Sequence, residues 1–244
     1  MRWLMTDLDH TCIFPKRKPS NIPGRTTVVF ERASDSTRGM AIPNQLLEMM
    51  TVMSDKRVAV TAREFKDVDK LVFPFEWDYV ICQHGFQIYQ GQRMIFEGAN
   101  DYSSGIITEV YQCLIKSFEK YEHLVEEIKL IKSGEMAAFI EVKLNNIEDA
   151  DLFCEASDIR YLISEDVIFH ENGRVLTLMP AGISKQHALS WLLKNYIKPL
   201  DNEPFLIGAG DSDSDMPFMR LCHMCLSPSD SQIINNISLG AENA

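Results

Sequence analysis

The chain has 244 residues, 45% of them apolar and 24% charged, with a formal net charge of −11 at pH 7. Its length fits one large domain or two small ones, and its apolar share supports a packed core and excludes a disordered chain. The acidic balance excludes a general nucleic-acid-binding surface.

Trp3-Leu4-Met5 predicts a first strand over 3–8, and it runs into Asp7-Leu8-Asp9-His10-Thr11. On an extended strand, side chains two apart point the same way. Two carboxylates so placed repel and raise each other's pKa unless a cation or a shared proton intervenes. The pattern therefore suggests a divalent metal, or a nucleophile paired with an acid. Residues 15–41 follow, a connection longer than is typical. They carry Lys16, Arg17, Lys18, Arg25, Arg32 and Arg38 against Glu31 and Asp35, and Val28-Val29-Phe30 predicts a small strand in a flap hairpin. The segment reads either as a basic flap that steers an anionic substrate or as a solvated loop.

A helix over 43–54 and a strand over 57–61 come next. That strand ends in Val60-Thr61-Ala62-Arg63, where the Thr61 hydroxyl and the backbone N–H groups after it suit a phosphate oxygen at a helix N-terminus. A helix over 64–72 and a strand over 78–82 complete this part. The texture then changes. Gln83 to Gly98 reads as a hairpin turning at Gly91. A helix over 102–120 follows, extended or joined by 121–131. Then come strand 136–144, helix 147–157, strand 159–163, and strands 166–171 and 174–179 flanking the turn Asn172-Gly173. Glu141, Lys143, Glu171 and Asn172 are candidate ligand contacts there, with a solvated surface as the alternative.

The first pattern resumes with Ile183-Ser184-Lys185, opening a helix over 184–196. A cation at Lys185 would offset both Asp7 and a phosphate. A strand over 204–208 leads into Gly208-Ala209-Gly210-Asp211-Ser212-Asp213-Ser214-Asp215, then a helix over 214–221 and a short strand near 223–226. Alternating carboxylates suit Mg²⁺, a hard cation that takes oxygen ligands. They also suit a helix N-cap. Alternating β and α elements predict an α/β fold: a doubly wound parallel, Rossmann-like core over 1–84 and 181–244, with an inserted α+β cap domain over 85–180. The motifs fall at the C-terminal ends of strands, where such sheets bind ligands.

Six cysteines are scattered along the chain, and most lie inside apolar runs and read as buried free thiols of a reducing, cytoplasmic environment. Cys222-His223-Met224-Cys225 lacks the second pair that a zinc site needs, and His84, His123, His170 and His187 form no ligand spacing. No run approaches 18 uncharged apolar residues, so no membrane span is expected. With an acid already at Asp7, the opening residues do not read as a signal peptide.

The order Asp7-x-Asp9-x-Thr11, Thr61, Lys185, Gly210-Asp211-x-x-x-Asp215 resembles the haloacid dehalogenase-like phosphohydrolases, over most of the chain. The resemblance implies Asp7 as the nucleophile that forms an aspartyl-phosphate, and Asp9 as the acid and then the base. It implies Thr61, Ala62, Arg63 and Lys185 around the phosphoryl group. Mg²⁺ would be held by Asp7, Asp211, Asp215 and the backbone carbonyl of Asp9. His10 stands where glycine is frequent, Ala62 interrupts the usual Thr-Gly-Arg, and Ser214 stands where asparagine is frequent. His10 and the Ser184–Leu193 run are similar to the sucrose-phosphate phosphatase branch, whose cap is of the type shared with Cof-like members. The resulting expectation is a Mg²⁺-dependent phosphatase of a small phosphorylated metabolite such as a sugar phosphate, with no nucleic-acid or membrane partner. A phosphomutase or phosphotransferase on the same substrates, and a non-catalytic protein that binds a phosphorylated ligand, are the alternatives.

Overall fold

The computed structural model describes residues 1–16, 24–32, 35–98, 101–157, 159 and 165–242, without the side chains of 32–38, 101–102, 172 and 239–242. The chain forms two compact units, Met1–Glu97 with Ser184–Ala244, and Gly98–Ile183. In the first unit, β1 (Arg2–Thr6) is buried on both faces, as a central parallel strand with an unbroken apolar run should be. Strands β2 (Phe14–Pro15), β3 (Thr26–Arg32) and β4 (Asp35–Pro43) form a small antiparallel sheet. Its Val29, Ala41 and Ile42 are buried, so this segment contributes to the core and is not merely a solvated loop. Of the basic residues expected there, Lys16 pairs with Glu31 at 2.7 Å. Arg17 and Lys18, and the side chains of Arg32 and Arg38, lie outside the described residues.

Helix α1 (Asn44–Met53) leads to β5 (Lys56–Val60), whose Val58-Ala59-Val60 is fully buried. Helix α2 (Phe65–Val68) is a single turn, shorter than its expected span. The chain after it breaks at Phe73-Pro74, where proline disfavours helix for the residue before it, and Phe73, Phe75 and Trp77 pack on one another. Strands β6 (Tyr79–Cys82), β7 (Gln87–Gln90) and β8 (Arg93–Glu97) follow. The 83–98 hairpin pairs antiparallel with β6 and extends the core sheet, so the boundary falls after Glu97 instead of after residue 84.

The second unit opens with α3 (Asp101–Lys116). Its end is set by polar side chains that take its last carbonyls: the Ser117 hydroxyl donates to Cys113 O at 2.9 Å and the buried Tyr121 hydroxyl donates to Leu114 O. Two 3₁₀ turns follow, then β9 (Val125–Ser133), so residues 121–131 do not continue the helix. β9 pairs with β10 (Met136–Leu144). Helix α4 (Ala150–Ala156), β11 (Val167–Asn172) and β12 (Val175–Pro180) complete a four-stranded sheet in the order β11-β12-β10-β9. Its core gathers Ile107 and Leu114 from α3 with Ile140, Val142, Phe153, Leu176 and Leu178. The strand expected over 159–163 falls largely outside the described residues.

The chain returns to the first unit with α5 (Lys185–Leu192), continued by a π-helical turn over Leu193–Ile197. Strand β13 (Phe205–Ala209), helix α6 (Met216–Met219), strand β14 (Met224–Leu226) and helix α7 (Gln232–Glu242) finish it. The seven-stranded sheet runs β14-β13-β1-β5-β6-β7-β8. Its first five strands are parallel, and the C-terminal ends of β13, β1 and β5 therefore sit side by side on one edge. Among the described residues, no helix is long and apolar enough to cross a membrane.

Candidate active site

The loops after three adjacent strands, with one helix N-terminus, deliver the side chains. Asp7 directly follows β1, and its N–H donates to Ala209 O at 2.9 Å, which fixes the nucleophile candidate against β13. Beyond it the chain turns through His10 at φ 60°. This left-handed conformation explains a preference for glycine there, and histidine is one of the few other residue types found in it at raised frequency. The turn brings Thr11 back, and its hydroxyl lies 3.3 Å from an Asp7 carboxylate oxygen and 2.9 Å from Asp211 Oδ1. Thr11 thus ties Asp7 to Asp211, which lie near opposite ends of the sequence. The motif contained Thr11, but spacing alone gave it no role.

Lys185 sits at the N-terminus of α5, where the Ser184 hydroxyl caps the helix by accepting from His187 N–H at 3.1 Å. Its ammonium donates to Asp7 Oδ1 at 2.8 Å and to Asp215 Oδ1 at 2.6 Å. All three residues are buried. Gly85 secures this position. It has φ +100°, and a Cβ on it would lie 2.2 Å from Ser184 O. The neighbouring Gln83 and His84 also adopt positive φ, and His84 N–H donates to Thr61 O at 3.2 Å.

Asp215 stands at the N-cap position of α6, but its side chain makes no capping hydrogen bond to that helix. Its second oxygen accepts from the N–H groups of Asp211 and Ser212, at 3.2 and 3.1 Å, and from the Ser212 hydroxyl at 2.8 Å. Asp7, Asp211 and Asp215 each offer a carboxylate oxygen within 4.8 Å of the others, the one candidate metal cluster among the described residues. Asp213 points elsewhere: its carboxylate accepts from Asn236 Nδ2 of α7 at 2.8 Å.

Burial pushes the Asp7 carboxyl up to about 7; Lys185 pulls it down, while Asp215 and Asp211 push it up. Burial works against the Lys185 ammonium, but Asp7 and Asp215 together outweigh it and hold its pKa above the ordinary value. Asp211 is raised by burial, against the hydrogen bond from Thr11. A site with several carboxylates around one ammonium carries excess negative charge, and a divalent cation would relieve it.

Thr61 is buried, and its hydroxyl accepts from Arg63 N–H at 3.2 Å. The Arg63 guanidinium forms a fork on Asp9: Nε donates to Oδ2 and Nη2 to Oδ1, both at 2.6 Å. The structure thus gathers Asp7, Lys185, Asp211 and Asp215 into one contact set and places Asp9 with Arg63 beside it. Nothing in the sequence foretold the Arg63–Asp9 contact, since the two residues lie 54 apart, in the loops that follow β1 and β5.

No family model matches the sequence, and no curated protein matches it either. Solved structures do. A haloacid dehalogenase-like hydrolase from B. subtilis matches with TM-score 0.60 at 15% identity, over 95% of this chain and 93% of that one. The fold is that of the haloacid dehalogenase-like hydrolases. The sucrose-phosphatase from Synechocystis, solved with sucrose and phosphate, shares it with TM-score 0.52 at 14% identity, over 99% and 98% of the two chains. The C-terminal domain of the trehalose-6-phosphate phosphatase from C. albicans shares it with TM-score 0.56 at 13% identity, over 90% and 72%. The haloacid dehalogenase-like fold accounts for the sheet edge on which the four motifs converge.

Proposed function

We propose that the protein is a Mg²⁺-dependent phosphatase acting on a small phosphorylated metabolite, a sugar phosphate or similar phosphomonoester, through an aspartyl-phosphate on Asp7. The observation that carries this reading is the buried contact set Asp7–Lys185–Asp215 with Asp211 at hand and Asp9 two residues beyond Asp7. A binding protein needs no second carboxylate beside a buried one. The sugar-phosphate part draws on the two neighbours of the same fold named for sucrose and trehalose 6-phosphate.

The donor set fits the ion: three clustered carboxylates are hard oxygen ligands. Asp7, Asp211 and Asp215, with the Asp9 carbonyl, would hold it. Bound there, Mg²⁺ would lower the repulsion between the phosphate and the carboxylates. The protein's own groups do the rest. Lys185 neutralises Asp7 and holds it in place, and its charge also favours an incoming phosphoryl oxygen. Thr61 and the N–H groups beyond it line the phosphoryl side. The Asp7 carboxylate attacks phosphorus while the bond to the leaving oxygen breaks and Asp9 protonates that oxygen. Water then attacks phosphorus, Asp9 takes its proton, and the bond to Asp7 breaks. Substrate selection is assigned to the unit Gly98–Ile183.

The test is phosphate release from a broad panel of phosphomonoesters, with Mg²⁺ and with EDTA, for wild type and Asp7→Asn. Metal-dependent release that disappears in Asp7→Asn, with an unchanged circular dichroism spectrum, is expected. Isomerised product without free phosphate would replace this reading with a phosphomutase. Asp7→Asn turning over at the wild-type rate would refute the mechanism.

A further inference from the structure

The fork between Arg63 and Asp9 places a guanidinium where a phosphate ligand was expected. Both oxygens of Asp9 are engaged at 2.6 Å, by two different nitrogens of one planar group. Arg63 is itself anchored. Its backbone N–H donates to Thr61 Oγ1 at 3.2 Å, and its carbonyl accepts from Gln83 N–H at 2.9 Å. The guanidinium is a quarter exposed and the Asp9 side chain little more than a third, so the pair stands at the margin of the site and not in bulk solvent. Asp9 lies on the turn after β1, beside a left-handed His10; the turn's backbone is tied by His10 N–H to Ile13 O at 2.9 Å and by the Cys12 and Ile13 N–H groups to Leu8 O at 3.0 and 2.9 Å, none of which involves the Asp9 side chain. A carboxylate on such a turn has several rotamers open to it. A bidentate guanidinium selects one, because the fork fixes direction as well as distance.

We propose that Arg63 is the positioning residue of Asp9, and that it orients the acid/base carboxylate instead of gripping the transferred phosphoryl group. The proposal rests on the phosphatase reading above. In the first half-reaction Asp9 gives a proton to the leaving oxygen as the P–O bond breaks and the Asp7–O–P bond forms. In the second it takes a proton from the water that displaces Asp7. The paired form of Asp9 is the one that accepts the proton of water. In its protonated form, Asp9 turns one oxygen to the leaving group and keeps the other on the guanidinium.

The two roles for Arg63 separate by leaving group. An alkoxide leaving group needs a proton, whereas p-nitrophenolate does not. A phosphate ligand would serve both substrates alike. The experiment measures kcat/KM, which reports formation of the phospho-enzyme, for Arg63→Met and Arg63→Lys with an alkyl phosphomonoester and with p-nitrophenyl phosphate. It adds the inhibition constant of inorganic phosphate. For Arg63→Met, the alkyl substrate should lose about 100-fold in kcat/KM, the scale of a misplaced general acid. p-Nitrophenyl phosphate and phosphate inhibition should change by no more than about threefold, the scale of an uninvolved group. Arg63→Lys, which keeps charge without the fork, should resemble Arg63→Met. In an Asp9→Asn background, Arg63→Met should cost nothing further on the alkyl substrate, because the two act as a unit.

Equal losses on both substrates, with weaker phosphate inhibition, would overturn the proposal and return Arg63 to the phosphoryl group. Additive losses with Asp9→Asn, or full rescue by Arg63→Lys, would also overturn it. Wild type releasing phosphate from neither substrate would remove the phosphatase reading itself, a distinct outcome.

Discussion

Lys185→Met tests the electrostatic centre of the site. Methionine keeps the length and most of the volume of lysine but removes the ammonium. Lys185 is 7% exposed, Asp7 6% and Asp215 0%. At 2.8 and 2.6 Å, one ammonium serves both carboxylates, so the substitution leaves two buried charges without their cation. Removing one partner of a buried pair costs about 3–5 kcal/mol, chiefly through the charge left behind. The sign with pH follows from Asp7. Its folded-state pKa, about 7, lies above the ordinary value of 3.8. Its contribution to stability is therefore present below the ordinary value and lost as pH rises towards 7. The penalty of Lys185→Met should be fully developed at pH 8 and smaller at pH 5, where a carboxylate can be neutralised by a proton.

Urea unfolding in EDTA, followed by tryptophan fluorescence, reads this directly. Trp3, Trp77 and Trp191 all belong to the unit Met1–Glu97 with Ser184–Ala244. With a slope of about 2 kcal/mol/M, the midpoint should fall by roughly 1.5–2.5 M. A variant within about 0.5 kcal/mol of wild type at pH 8, the range of an ordinary surface change, would refute the account of Lys185 as the buried counter-charge.

Other expectations follow from the same geometry. Mg²⁺ should raise the melting temperature more at pH 8 than at pH 5.5, because ligands must be deprotonated and Asp7 is pushed up to about 7; equal shifts at both pH values would count against Asp7 as a ligand. Gly85→Ala should destabilise by about 1–3 kcal/mol, the cost of a strained backbone. It should lower turnover as well, since its Cβ would meet Ser184 O at 2.2 Å and displace Lys185. Unchanged thermal stability would refute that contact. Asp213→Ala should lose the link to Asn236 with turnover kept, whereas Asp211→Ala should lose Mg²⁺-dependent activity. Matching losses in the two variants would place Asp213 in the site after all.

The α/β class with its parallel sheet was legible in the alternation of elements. Asp7, Lys185, Asp211 and Asp215 could be singled out as candidates because chemistry restricts which residue types can serve, and because each follows an apolar run or opens a helix; the structure brings the four together. What spacing does not reveal is partner choice. Thr11 was visible as a letter of the motif, yet its bridge from Asp7 to Asp211 depends on β13 lying beside β1. The 83–98 hairpin was legible as a hairpin, but pairing between two strands does not say which sheet edge they join, and that set the unit boundary wrong. Residues 121–131 carry Leu124, Val125, Ile128 and Ile131 at near-helical spacing. The β-strand wins through pairing with β10 across a turn at Gly134, which has φ +56°. Helix α7 went unforeseen because Ile, Asn and Gly are weak helix formers; Ile233, buried in the core, and Asn236, bound to Asp213, hold it in place.

The pairing of β1 with β13 also bears on how the protein is made. Arg2 lies opposite Phe205, so during synthesis β1 lacks one of its two neighbours until the chain has grown past Ala209. At roughly 5–20 residues per second this is a delay on the order of 10–40 s. In that interval the unit Gly98–Ile183, one unbroken stretch of chain, can fold first, while a central apolar strand waits with one edge open. That exposed edge is a point of risk for mispairing and a natural client surface for chaperones. The delay also acts as a safeguard. A chain that ends before Lys185 carries Asp7 and Asp9 but neither Lys185 nor Asp211, so such a product cannot assemble the proposed centre.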